Sequence, residues 1–426
     1  MKNMKKCALI VALAAVLVFA MAGCGSKETT DDANKNVAEE IKSTDHAEEY
    51  LAEYFDVTVD EKLATAEGFN EALALVAGEE APAVKEFTAL DVVKASVDAA
   101  DYKELALTYP EEKTQDRLKL NEIKFDGDKT DAAYIACAVD TGLMSKDFAA
   151  KAAGEEKFSQ DEIVEILMSI VNVNGDGRNY LGMSNDVDIY GKIDQAWNSF
   201  ILFDDGQLSE IGKNAVLGQA TTGYNLKSNA YNARFLPELT LQYGHSDITH
   251  AHQLIGLLNS EDIIVKVQLE PKVSIYEYLP EWGPIPETTP TYEVKQYEDR
   301  YLVYAVEYDM QLEFANMDDL NRFDTVINDY AKKNAGNEEA VGLIAESWWQ
   351  PLYTTVRTDM PEDVYHALAD CVINNGMYSL HSFCVAENQD KVIADFEALS
   401  GDLKVEPVAR YCNTAFYHYM TGEDYQ

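Results

Sequence analysis

Cations are scarce in this chain. Its 426 residues hold 34 Lys and Arg against 75 Asp and Glu, a formal net charge of −41. A phosphate backbone is bound by a basic surface, so this balance excludes nucleic acid as a natural partner. It also disfavours docking onto anionic lipids or teichoic-type polymers. A cationic or neutral partner, or divalent cations, suits it better. The other reading of the acidity is solubility and self-repulsion at a crowded surface. Cysteine is scarce too. Beyond Cys7 and Cys24 there are Cys137, Cys371, Cys384 and Cys412, with no CxxC pair, so disulfides are not the main source of stability. Cys137 sits in the apolar run AAYIACAV and reads as a small core residue. Cys384 and Cys412 fall in two segments that read as strands, which leaves a bridge between them open. Nucleophile and phosphate-loop motifs are missing: there is no GxSxG, SxxK, GxxxxGK[ST] or GxGxxG. A thiol–imidazole pair of Cys371 with His366 or His381 can be imagined. On the helix predicted over 361–376, however, His366 and Cys371 lie about 140° apart, on different faces. Carboxylate pairs are too common in so acidic a chain to mark acid–base catalysis. After the first residues there is no further hydrophobic run of membrane length.

What is present begins with MKNMKKCALIVALAAVLVFAMAGCGS. Lys2, Lys5 and Lys6 precede an apolar stretch from about Ala8 to Ala20. That is the order of a secretory signal, and the stretch is short for a spanning helix. Met21-Ala22-Gly23-Cys24 resembles a bacterial lipobox, with Met where Leu is usual. The resemblance implies cleavage before Cys24 and a diacylglyceryl group on its thiol; the alternative is a plain secretory signal. Two acyl chains anchor a protein stably. The expected location is therefore the outer face of the cytoplasmic membrane, held through the lipid. Loss of the three leader lysines moves the net charge from −41 to −44. Residues 24–44 are polar, acidic and free of aromatic side chains, and read as a flexible tether.

From residue 45 to 235 the patterns are helical. AEGFNEALALVAG (66–78), DVVKASVDAADYKELAL (91–107), DAAYIACAVDTGLM (131–144) and SQDEIVEILMSIVNV (159–173) space apolar residues three and four apart. Asp131 and Ser159 stand where N-caps belong. The pair 131–144 and 158–171 resembles an S-layer homology repeat, and LATAEGFNEALALV (63–76) resembles the second helix of a preceding one. A weaker echo lies in 192–224. That family binds secondary cell-wall polymers through the Arg of a Thr-Arg motif. Here Thr65-Ala66-Glu67 and Ser159-Gln160-Asp161-Glu162 carry no Arg, so the resemblance supports the fold more than the ligand. From 236 to 426 the texture changes to strands alternating with helices: 239–244, 246–259 and 262–271, a Pro-rich linker near 278–292, then 300–315, 317–334, 361–376, 377–388, 390–399 and 403–420. The expected fold class is α+β, an all-α S-layer-homology-like module followed by an α/β sandwich with ferredoxin-like β-α-β units.

Few stretches carry chemistry. YGHSDITHAHQL (243–254) holds three of the seven histidines. With Ser246 as the cap, His250 and His252 flank the apolar stripe roughly 160° apart and cannot share one metal from a single helix. The paired-ligand spacing is i, i+4. What survives is a ligand-binding candidate at the strand-to-helix corner, His245, Ser246 and Asp247, with a capped turn as the plainer reading. NVNGDG (172–177) places Asn172, Asn174 and Asp176 as in the start of an EF-hand calcium loop. Position twelve is Met183, where a bidentate Glu belongs, so calcium is only a weak candidate. Trp348-Trp349 and Tyr411, Tyr417 and Tyr419, which share a face if 403–420 is a strand, suit sugar rings or sheet packing. No residue is assigned a catalytic role. The sequence reads as a cell-surface lipoprotein with a non-catalytic binding or scaffolding role at the bacterial envelope, partnered by membrane and by wall polymer or another envelope protein. Two alternatives stay open: an enzyme on wall or extracellular polymer with a site near His245, and a solute-binding lipoprotein.

Overall fold

The computed structural model describes residues 46–331, 353–357, 360, 365–400 and 403–423. The leader, Cys24, the tether and Trp348-Trp349 lie outside them. Residues 1–46 and 47–426 separate as two units.

The first part of the second unit is a helical layer. α1 (Ala47–Phe55), α2 (Ala66–Ala77), α3 (Ala89–Ala99), α4 (Lys103–Leu107), α5 (Glu111–Leu120), α6 (Lys129–Asp140), α7 (Lys146–Lys151) and α8 (Gln160–Val173) follow in order. The apolar faces read from the sequence meet in one core around Phe69, Leu73, Val92, Ile135, Ile163 and Leu167. Each such side chain, fully buried, contributes about 1.5–3 kcal/mol. Thr65 Oγ1 accepts the Gly68 N–H at 3.2 Å. Ser159 and Glu162 form a capping box that starts α8, satisfying donors that a helix N-terminus otherwise leaves unpaired. The cap of α6 is Asp128; Asp131 lies in its first turn, 2.6 Å from Lys94 Nζ.

The strands are β1 (Gly182–Met183), β2 (Gly223–Ser228), β3 (Thr240–His245), β4 (Val265–Glu277), β5 (Tyr292–Tyr297), β6 (Arg300–Phe314), β7 (Tyr353–Thr355), β8 (Tyr365–Asn374), β9 (Tyr378–Val385) and β10 (Glu406–Asn413). Every pairing is antiparallel. The order runs β4-β2-β9-β8-β10-β7-β3-β6, and β6 pairs back onto β4 from Val265↔Phe314 to Glu277↔Leu302. Eight strands therefore close into an antiparallel barrel, with β1 and β5 added beside β4 and β6. This overturns the expected all-α module followed by a ferredoxin-like sandwich. Strands begin at Gly182, inside the range expected to be all-helical, and the strands form one ring.

The local units explain how that expectation arose. β3 leads through α11 (Ile248–Ser260) to β4, and β9 leads through α13 (Gln389–Glu397) to β10. In each case another strand lies between the two: β6 pairs with both β3 and β4, and β8 with both β9 and β10. Two split units, joined edge to edge, close the ring. Two elements also differ in type. Residues 365–374 form a strand, because pairing on both edges with β9 and β10 overrides the helical spacing of YHALADC. The final strand stops at Asn413, whose side chain caps α14 (Thr414–Thr421). Tyr417 and Tyr419 are therefore helical and share no strand face with Tyr411.

The outward strand faces are apolar. α11, α9 (Ile189–Ser199) and α12 (Met317–Ala331) cover Leu241, Val267, Leu269, Met310 and Leu312. α10 (Gly206–Leu217) and α13 cover Leu226, Val273, Ile275, Cys371 and Leu380. The alternate positions of the same strands face the lumen, and most are polar. Cys371 and Cys384 face outward, while Cys412 is level with Thr354 on the inward side. The Cys384–Cys412 bridge is thus absent, and all four described cysteines are free thiols.

Candidate functional site in the barrel lumen

Strand periodicity builds the site. On β4, Lys266, Gln268, Glu270, Lys272 and Ser274 alternate with the outward apolar residues. On β6, Glu307, Asp309, Gln311 and Glu313 do the same. Side chains two apart share a face, so these polar ladders line the inside.

Their charges neutralise one another. Asp309, 1% exposed, lies against Lys227 and 2.7 Å from Lys272 Nζ. Burial alone raises a carboxyl pKa; here Lys227 and Lys272 outweigh it and hold Asp309 well below the usual carboxylate range. The same contacts act on Lys272, whose pKa burial lowers but Asp309 and Glu307 push upward overall. Gly244 makes the room. A Cβ there would sit 3.0 Å from Asp309 Oδ1 and 3.1 Å from Lys272 Nζ. Nearer the helical layer, Glu313 takes Lys266 Nζ at 2.6 Å, Arg178 Nε at 2.9 Å and the Leu236 N–H at 2.7 Å. Arg178 in turn lies over the Tyr50 ring of α1, 4.3 Å from its centroid.

A cavity of about 360 Å³ opens into this lumen, a size at the small end of ligand sites. Its rim is the segment from Ser228 to Pro237 with Tyr54 of α1, whose hydroxyl donates to the Phe235 carbonyl at 2.6 Å. Its wall includes Lys227, Gln242, Glu270, Thr354, Ser379, His381 and Arg410. Buried polar atoms nearly always find partners, and several here have none. Thr354 Oγ1 and Arg234 Nε are buried without a hydrogen-bond partner among the described residues. Arg410 spends only Nε, on Asp370 at 3.2 Å, and neither Nη group is hydrogen-bonded among the described residues. Asp370, fully buried, also accepts from His381 Nδ1 at 2.8 Å. Burial raises its pKa, but His381 and Arg410 bring it below the ordinary value.

The residues singled out from the sequence lie elsewhere. His245 ends β3 on its outward side and does not line the cavity. Its Nδ1 accepts the Asp247 N–H at 2.9 Å, and its ring stacks on His250 with centroids 4.0 Å apart. Asp247 rather than Ser246 caps α11, accepting from the Thr249 N–H at 2.9 Å. His252 turns away to Asp194 at 3.0 Å. Burial, then the neighbouring His250, lowers the His245 pKa to about 4. A histidine kept neutral in the fold gives stability that is present above about pH 6.5 and lost as pH falls through 6.5 towards 4. Wild type should therefore lose about 3 kcal/mol more than His245→Asn between pH 7 and pH 4, read by urea unfolding at each pH.

Asn172, Asn174 and Asp176 end α8 in a turn. Asn174 Nδ2 donates to the Ala99 carbonyl at 3.2 Å, and the Asp176 N–H donates to the Val171 carbonyl at 3.0 Å. Among the described residues no group of three or more His, Cys, Asp or Glu is placed to hold a metal. His366 stacks on Tyr417, and Cys371 faces away from the lumen that His381 lines. Thr354, Ser379 and Arg410 went unnoticed in the sequence, and His381 was weighed only as a partner for Cys371. The signal was present in strands such as VKVQLEPKVS, where charge alternates with aliphatic residues. That pattern also describes an ordinary strand with one wet face. A scan against family models, a comparison with curated proteins and a comparison with solved structures each returned no match.

Proposed function

We propose that this chain is an exported, lipid-anchored envelope protein that binds a small oxyanion-bearing solute, a carboxylate or a phosphate, in its barrel lumen. The observation that carries the reading is the set of partnerless donors on and beside the cavity: both Nη groups of Arg410, Arg234 Nε and Thr354 Oγ1. Donors without acceptors fit an acceptor-rich guest, and a guanidinium fork matches a planar oxyanion. The polar wall selects a hydrophilic guest over an apolar one. The lipobox-like Cys24 supports the anchor and the envelope setting. The S-layer homology resemblance adds to that setting and brings no ligand-binding arginine with it.

The test uses the full chain carrying Cys24→Ala, which cannot be acylated, titrated calorimetrically with phosphate, acetate, malonate and glucose. At least one oxyanion should bind and glucose should not. Arg410→Gln should weaken binding at least tenfold, the scale of a charge-assisted hydrogen bond. Thr354→Val, which keeps the shape, should weaken it roughly three- to tenfold. Silence with every anion, or unchanged affinity in Arg410→Gln, would sink the reading.

A further inference from the structure

We propose that the lumen wall also carries a nucleophilic serine, Ser379, activated by His381 and positioned through Asp370, and that it cleaves a small anionic ester. The inference rests on the lumen admitting a solute, as proposed above. Ser379 and His381 stand two apart on β9 and so share its inward face. Asp370 lies on the neighbouring strand, with Val372, the residue two further along β8, directly opposite His381. Ser379 Oγ is 2.9 Å from His381 Nε2, and His381 Nδ1 is 2.8 Å from Asp370 Oδ2. A nucleophile, a base on one imidazole nitrogen and a carboxylate on the other is the arrangement acyl-transfer enzymes reach on unrelated folds.

The chemistry of the three groups sets the proton's direction. Asp370 is an acceptor only, so the His381 proton sits on Nδ1. Nε2 then carries the lone pair and takes the Ser379 hydroxyl proton. Asn229 Oδ1, at 3.2 Å, is the more distant rival for that proton. Ser379 and His381 both line the cavity, while fully buried Asp370 does not. Arg410 shares Asp370 Oδ2 and presents its remaining N–H groups to the anionic end of a guest.

The steps balance. Ser379 Oγ bonds to the ester carbon as its proton passes to His381 Nε2. The carbon–alkoxide bond breaks and the leaving oxygen takes that proton. Water then adds to the acyl carbon, gives a proton to Nε2, and the Oγ–carbon bond breaks with return of the proton to Ser379. The products are a carboxylic acid and an alcohol.

The probe is diisopropyl fluorophosphate, applied to the full chain with Cys24→Ala and followed by intact mass and peptide mapping. One adduct is expected, on Ser379, absent in Ser379→Ala. It should form at least about 100-fold more slowly in His381→Gln, the scale of general-base assistance. In Asp370→Asn, the one-proton rise of labelling rate with pH should disappear, which a merely structural role for that residue would not cause. No adduct on Ser379, or equal labelling rates in wild type and His381→Gln, would overturn the inference. Phosphate and acetate calorimetry on the same sample judges the binding reading separately, so failure of one is told apart from failure of the other.

Discussion

Asp309→Ala should lower the unfolding free energy by about 3–5 kcal/mol, the cost of stranding buried charge. The change leaves two ammonium groups, Lys227 and Lys272, inside the barrel without their shared anion. For a domain whose whole stability is about 5–15 kcal/mol, that is a large fraction. Urea unfolding followed by circular dichroism reads it directly. The companion variant Lys227→Met/Lys272→Met/Asp309→Leu removes all three charges together. It should be far closer to wild type, because a buried ion group is often replaceable by apolar side chains at little net cost. If Asp309→Ala alone were as stable as wild type, the ion cluster would not be buried as described. The pH dependence has a fixed sign. Asp309 and Asp370 are both depressed in the fold. Their contribution is present above the unfolded carboxylate value, about 4, and is lost as pH falls below it.

Glu313→Ala should cost a similar 3–5 kcal/mol by the same mechanism, with a different spatial signature. Glu313 holds Lys266 inside the barrel, Arg178 on the chain leading in from the helices, and the Leu236 N–H on the cavity rim. Arg178 lies over Tyr50 of α1. Removing the carboxylate takes away the Glu313 partner of Arg178 Nε and of the Leu236 N–H, so amide exchange should accelerate in residues 47–55 and around 234–240 beyond the global change. In Asp309→Ala those segments should follow the global change only. Uniform acceleration in both variants would argue against Glu313 as the pin between helices and barrel.

Much of the local structure was legible in the sequence. The strand-like runs expected over 262–271 and 300–315 hold the start of β4 and the whole of β6, and Ser159, expected as an N-cap, does open α8. The direction of the strands was not legible. Alternation says that two faces differ; it does not say which one meets water. Here the apolar face meets helices and the charged face meets its own counter-ions across the lumen, so the site residues looked like solvated surface. Ring closure was hidden as well, because pairings such as β2 with β9 join segments with no mutual signal in the sequence. The His245 corner drew attention because histidines clustered there in sequence. The relay at Ser379, His381 and Asp370 crosses two strands, and no spacing rule collects it.

The closed ring has a consequence for how the chain is made. Asn229 and Ser379, which hydrogen-bond where β2 meets β9, are 150 residues apart. Contacts that distant form late, because the loop must close before anything compensates its entropy. At a synthesis rate of about 5–20 residues per second, the free edge of β2 waits roughly 10–30 s for its partner. During that interval the chain offers other chains an unpaired strand edge beside apolar surface. A chain stopped anywhere short of Tyr378 keeps that edge permanently and should accumulate as aggregate.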